Sequence, residues 1–232
     1  MIDGAELHHL RDVMRLRVGD AVALLAQNNF EHLARIERFE EARAILRIEK
    51  TITTPQAASL ILASAIIKGP RMDFLVEKAA ELGVTELWPM LCERGVATMP
   101  GAERMARWRR LATAAAKQSL APAALKMHEP TPLAGLIETL ATDTLAGRDA
   151  LKLICAMGAE PIGSVIQRAR PRAIVIACGP EGDFTDAEME LATRAGFVRV
   201  GLGRNRLRSE TAALAAVSVA RAMLDEFGQG ED

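Results

Sequence analysis

The chain contains no tyrosine, and two tryptophans and six phenylalanines leave it only 3% aromatic. That scarcity argues against a broad platform of rings on which successive bases would stack. Cysteine is almost as rare. Cys92, Cys155 and Cys178 stand far apart with no CxxC pair, so they read as reduced core residues rather than disulfides or zinc ligands. There is no excess of positive charge: 29 Lys and Arg face 30 Asp and Glu, for a net charge of −1. A strongly basic nucleic-acid binder is thereby excluded, and any such binding must come from a local patch. No apolar run is long enough to cross a bilayer. The sequence has neither GxGxxG nor GxxxxGK[ST], which removes the standard dinucleotide and P-loop fingerprints. His8, His9, His32 and His128 show no ligand spacing. The charged first twenty residues do not read as a signal peptide, so the expected compartment is the cytoplasm.

What is present is a chain of 232 residues, half of them apolar, enough for one or two globular domains. Residues 1 to about 52 read as short strands, at 21–25, 32–36 and 44–48, with a turn at Asn28-Asn29; the pattern suggests a small β-barrel or sheet. A linker over 51–56 follows. Beyond it strands alternate with helices. Strands are expected at 60–67, 86–90, 151–156 and 173–178, and helices at 74–82, 103–120, 162–169 and 209–227. Gly83 is a C-cap for the first helix, Pro122 lies just past the second, and Thr185 with Glu188 forms a capping box for a helix ending near Gly196. Such alternation argues for a mainly parallel sheet covered on both faces.

Two segments carry the chemistry. Gly179-Pro180-Glu181-Gly182-Asp183-Phe184-Thr185 follows the strand at 173–178, and Leu202-Gly203-Arg204-Asn205-Arg206-Leu207-Arg208-Ser209-Glu210-Thr211 follows the β-branched run at 197–200. Each is a loop leaving the carboxyl end of a buried strand, where open α/β sheets bind ligands. Gly179 and Gly182 remove side chains where a ligand could approach the backbone; an ordinary strand-to-helix turn would use them as well. Ser209 is the expected N-cap of the last helix. Arginines cluster at 104–110 and at 204–208; the first cluster can be a solvated helix face or a functional patch, while the second lies inside the loop motif and reads as functional. The final helix, with Ala212-Ala213-Leu214-Ala215-Ala216-Val217, is apolar around much of its surface, which points to burial against a second subunit.

The wording of these loops, GPEG before Phe-Thr and then Leu202-Gly203 with Leu207-Arg208-Ser209-Glu210-Thr211-Ala212, resembles the RsmE family of 16S ribosomal RNA N3-uridine methyltransferases, of the SPOUT superfamily. Lys68, Asp73, Lys78 and Glu81-Leu82-Gly83-Val84 fit the family upstream, as do Arg94, Glu103-Arg104, Trp108, Gln118-Ser119 and, near the start, His9-Leu10, Val13-Met14-Arg15 and Gly19-Asp20. The resemblance implies an α/β fold: a SPOUT-type C-terminal domain with a deep trefoil knot over 56–232, and a small N-terminal PUA-like β-barrel over 1–52 that holds RNA. Members usually begin with a strand ahead of the His8-His9-Leu10 region, so here either the first barrel strand is missing or the chain starts late. The implied cofactor is S-adenosyl-L-methionine, held by Cys178, Gly179, Pro180, Glu181, Gly182, Leu202, Gly203, Leu207 and Arg208. The implied partners are 16S ribosomal RNA, or the assembled small ribosomal subunit, and a second copy of the chain. Arg208 is the candidate for stabilising charge on the uracil imide; Glu210 either accepts the N3 proton or caps the final helix. The loop reads Gly182-Asp183 where the family usually has two glycines. The alternative readings are another SPOUT RNA methylation, on ribose 2′-O or a tRNA, and a non-catalytic ribosome assembly factor.

Overall fold

The computed structural model of the protein describes residues 1–26, 30–53, 58–119, 121, 124–142 and 150–228. The Asn28-Asn29 turn, linker residues 54–56, Leu120 and Pro122 lie outside these. The chain divides into two compact units, residues 1–57 and 58–232.

The first unit is an antiparallel sheet of β1 (Ile2–Asp3), β2 (Ala21–Ala26), β3 (Phe30–Phe39) and β4 (Arg43–Thr53), in the order β1-β4-β3-β2. The two residues of β1 pair with Ala44 and Arg43. Residues 4–13 depart from the strand reading. They form α1 (Gly4–His8) and a wider π-helical turn over His9–Val13, closed by Met14 N–H donating to His9 O. Leu7 and Leu10, three apart, are both buried, so it is helical spacing that hides the apolar side chains here.

The second unit holds β5 (Ser59–Ala65), α2 (Pro70–Glu81), β6 (Glu86–Leu91), α3 (Ala102–Gln118), β7 (Lys126–Met127), β8 (Thr131–Pro132), α4 (Leu133–Thr142), β9 (Leu151–Cys155), α5 (Ile162–Ala169), β10 (Ala173–Cys178), α6 (Asp186–Arg194), β11 (Val198–Val200) and α7 (Ser209–Gly228). The strands form a parallel sheet in the order β11-β9-β10-β5-β6-β7, with β8 also on β6. Both faces are covered, and alternate side chains of each strand enter separate cores. Leu60, Leu62, Leu153, Ile174 and Ile176 lie in the core that includes residues of α2, α3, α5 and α7. Ile61, Ala63, Ile154, Val175 and Ala177 lie in the other, which includes residues of α4 and α6.

The helices follow from spacing. Met72, Leu75, Val76, Ala79 and Ala80 put one stripe of α2 inside, and the helix ends where Gly83 takes φ +74°. On α7 the buried stripe is Ala213, Ala216, Val217, Ala220 and Leu224, with α7 packed on β5 and β10. Its small side chains thus serve close approach to the chain's own sheet. No helix among the described residues is long and apolar enough to cross a membrane.

Candidate functional site

Because β11, β9 and β10 are neighbours in the sheet, the loops at their carboxyl ends converge. A cavity opens there, lined by Cys178 to Glu181 and Asp183 after β10, by Leu202, Gly203 and Asn205 to Leu207 after β11, and by Cys155, Ala156 and Met157 after β9. Ser209 and Ala212, from the first turn of α7, close one wall.

The loop after β10 is held by its own backbone and by its neighbours. Asp183 N–H donates to Pro180 O at 2.9 Å, making a turn, and Asp183 takes φ +62°. A carboxylate that accepts from the next amide (Phe184 N to Asp183 Oδ1, 2.8 Å) is how a non-glycine residue tolerates that conformation. Arg94 Nη1 donates to Gly182 O and Phe184 O at 3.3 and 3.2 Å. The capping box is formed: Thr185 Oγ1 accepts from Glu188 N, and Glu188 Oε2 accepts from Thr185 N at 2.8 Å. Glu188 is buried, and its other oxygen accepts from Glu93 N at 3.1 Å. Replacing Glu188 with alanine orphans both amides. The expected cost is about 2 kcal/mol, a fall in Tm of about 4–8 °C by calorimetry. An unchanged Tm would show that the box does not hold the loop.

The second loop touches the first: Arg206 Nη2 donates to Glu181 O at 3.2 Å. Arg71, from the first turn of α2, binds Glu181 Oε1 at 3.0 Å and lies 3.5 Å from Glu210 Oε2. Glu210 is buried, and that oxygen has no hydrogen-bond partner among the described residues. Arg71 therefore ties the loop after β10 to the first turn of α7 electrostatically. Ser209 does not act as the N-cap. Arg208 O accepts from Ala212 N at 2.8 Å, which places Ser209 inside the first turn, and its buried Oγ has no partner among the described residues. Arg208 is exposed, and among the described residues neither it nor Arg204 forms an ion pair.

Residues 54–221 match the family described as RNA methyltransferase domain, and residues 2–49 the one described as RNA methyltransferase PUA domain. A ribosomal RNA small subunit methyltransferase E from Synechocystis is 31% identical over 95% of this chain and 72% of its own length. The chain belongs to the ribosomal RNA small subunit methyltransferase E family. Its relative from Bacillus subtilis is 29% identical over 94% of this chain and 87% of its own. The crystal structure of the family member from Neisseria gonorrhoeae, bound to S-adenosyl methionine, is 32% identical. It superposes with a TM-score of 0.75 over 96% of this chain and 90% of that one.

Of the residues singled out in the sequence, Cys178, Gly179, Pro180, Glu181, Leu202, Gly203 and Leu207 line the cavity; Gly182, Arg208 and Glu210 do not. The glycines of the first loop serve packing. A Cβ on Gly182 would sit 3.1 Å from Arg94 Cβ, and one on Gly179 3.0 Å from the Phe184 ring. Glu210 faces Arg71 and does not face the cavity. In the arginine cluster of α3, Arg107 binds Asp73 and Arg109 binds Glu129, so half of it is tied to acids. Sequence reasoning missed the loop Ala156-Met157, whose signal was Gly158, at the turn three residues past the end of β9. It missed Arg71 as well, for which there was no local signal.

Proposed function

We propose that the protein transfers a methyl group from S-adenosylmethionine to N3 of a uridine in 16S ribosomal RNA, as a cytoplasmic enzyme. The observation that carries this reading is the cavity where three strand-end loops of the RNA methyltransferase domain meet, with Arg208, which forms no ion pair among the described residues, at the end of the loop after β11. The residues fit the cofactor. Met157, Leu202, Leu207 and Ala212 give an adenosine apolar walls, the strand-end backbone at Cys178, Gly179 and Gly203 is close at hand, and Ser209 Oγ waits without a partner. When bound, the cofactor supplies an electrophilic methyl on sulfonium.

The chain must orient the base and stabilise charge. Uridine N3 carries its proton near neutral pH, and negative charge gathers on the imide as that proton passes to solvent water. Arg208 donates from its planar guanidinium to a uracil oxygen and holds that charge. Glu210, bound to Arg71, acts as a positioning group: it anchors the first turn of α7 and, through Arg71, the Glu181 side of the cavity. Residues 1–52 hold the RNA and residues 56–232 carry the reaction.

The same reading makes the second unit a trefoil knot. Its support is the path of the chain, in which β11 passes beyond β10 to pair with β9 and α7 returns to pack on β10 and β5. It also makes the enzyme a homodimer, supported by the half of α7 that keeps Val219 exposed; a monomer by light scattering at micromolar concentration would remove that part.

Methylation of small ribosomal subunits, with the modified base mapped by mass spectrometry, tests the reaction. Methyl anywhere but uridine N3 overturns it. Ser209→Ala tests the cavity. Its expected effect is a severalfold weaker titration with S-adenosylmethionine, about 1 kcal/mol, while the ligand-free Tm holds or rises because a buried unpaired hydroxyl is gone. Equal affinity would take Ser209 out of the site.

A further inference from the structure

Cys155 and Cys178, 23 residues apart, are the last residues of adjacent parallel strands. Ile154 pairs with Ala177, so the two cysteines form the next opposed pair, and both join the same core. Their Sγ atoms lie 3.3 Å apart. Neighbouring strands run about 4.8 Å apart, within the roughly 4.4–6.8 Å between Cα atoms that a disulfide requires. Both residues line the cavity, Cys155 partly exposed and Cys178 1% exposed.

We propose that Cys155 and Cys178 are an oxidisable dithiol that peroxide converts to a disulfide, with loss of cofactor binding. The first part stands on the sulfur geometry; the second rests on the reading of the cavity as the S-adenosylmethionine site. Cys155, the thiol open to the cavity, attacks the peroxide O–O bond as its thiolate and becomes a sulfenic acid, releasing the first water. The Cys178 sulfur then attacks the sulfenic sulfur, the S–S bond forms, and hydroxide leaves and takes up the Cys178 proton as the second water. Two thiols thus give up two electrons and two protons, and one peroxide becomes two waters. Its hydrogen bond with Cys155 and its burial both push the Cys178 thiol well above its usual range, so it stays protonated while Cys155 meets the peroxide. Closing the sulfurs from 3.3 Å to about 2 Å turns the two side chains onto each other and so reshapes the part of the cavity wall that both of them line. The third cysteine provides the contrast: burial, helped by the Glu188 carboxylate, pushes the Cys92 thiol up to about 12, and it lies outside the cavity.

The test uses the full chain treated with hydrogen peroxide. Intact mass and peptide mapping read the crosslink, and calorimetric titration with S-adenosylmethionine reads binding before oxidation, after it, and after dithiothreitol. The expected result is a loss of two hydrogens, a Cys155–Cys178 peptide, and affinity at least tenfold weaker that returns on reduction. Cys92→Ala keeps the whole response. In Cys155→Ala and in Cys178→Ala peroxide leaves whatever affinity each variant starts with; either variant suffices if the other does not fold. No crosslink, or a crosslink with undiminished affinity, overturns the proposal while the binding of the reduced protein leaves the cavity's assignment standing. Failure of the reduced protein to bind overturns that assignment and with it the loss of binding, and the dithiol is then judged by the crosslink alone.

Discussion

Arg208→Ala lowers single-turnover methylation of small ribosomal subunits by ten- to a thousandfold, about 1.4–4 kcal/mol of transition-state stabilisation, and leaves cofactor affinity and Tm where they were. The split follows from where the side chain sits. The acid next in line, Glu210, is engaged by Arg71, so Arg208 holds no ion pair among the described residues and supports no wall of the cavity. In the proposed reaction its removal takes away a donor for the developing imide charge and little else. Arg208→Lys restores part of the rate, since an ammonium gives one point of charge and no fork. A rate that falls only together with affinity and Tm would make Arg208 a brace for the loop, and normal turnover would remove it from the chemistry.

Gly201→Ala is the substitution with the largest expected structural effect near the cavity. A Cβ there would stand 2.5 Å from Ala159 O, a backbone atom that cannot swing aside. Gly201 N donates to Glu160 O at 2.8 Å and Gly201 O accepts from Ile162 N at 3.1 Å, so the end of β11 is clamped against the segment leading into α5. Relief requires the two segments to separate just before Leu202 and Gly203. The expected cost is about 3 kcal/mol of stability, with cofactor affinity at least tenfold weaker, about 1.4 kcal/mol. Melting curves and calorimetric titration check both. An alanine variant as stable and as tight as the parent would show that these segments separate freely.

The contrast between Gly201 and the motif glycines explains what could be read in the sequence. β5, α2, β6, α3, α5, β10 and the capping box of α6 were all legible, because periodicity and caps are local properties. The parallel, doubly covered sheet was legible as well, from the alternation alone. Helix α4 carried its own signal in Leu133, Leu136, Ile137 and Leu140, at helical spacing, and was missed. β7 and β8 were not legible: two residues have no period, and they are strands only because β6 offers an edge. The site divides in the same way. The loops after β10 and β11 are contiguous motifs. The loop after β9, the clamp on Gly201, the ion pairs of Arg71 and the contact of Cys155 with Cys178 exist only once β9 lies between β10 and β11 and the helices have packed on the sheet. No spacing in a linear sequence encodes that order.

The loop after β10 is tied to Arg94, to Arg71, to Arg206 and to its own capping box. A segment fastened at so many points has little conformational freedom left to surrender when a ligand arrives. Ordering one mobile side chain on binding ordinarily costs about 0.5–1.5 kcal/mol, and here much of that ordering is done while the chain folds. The heat-capacity change on cofactor binding is then set by the apolar surface covered, without the larger contribution that accompanies the folding of a loop around its ligand.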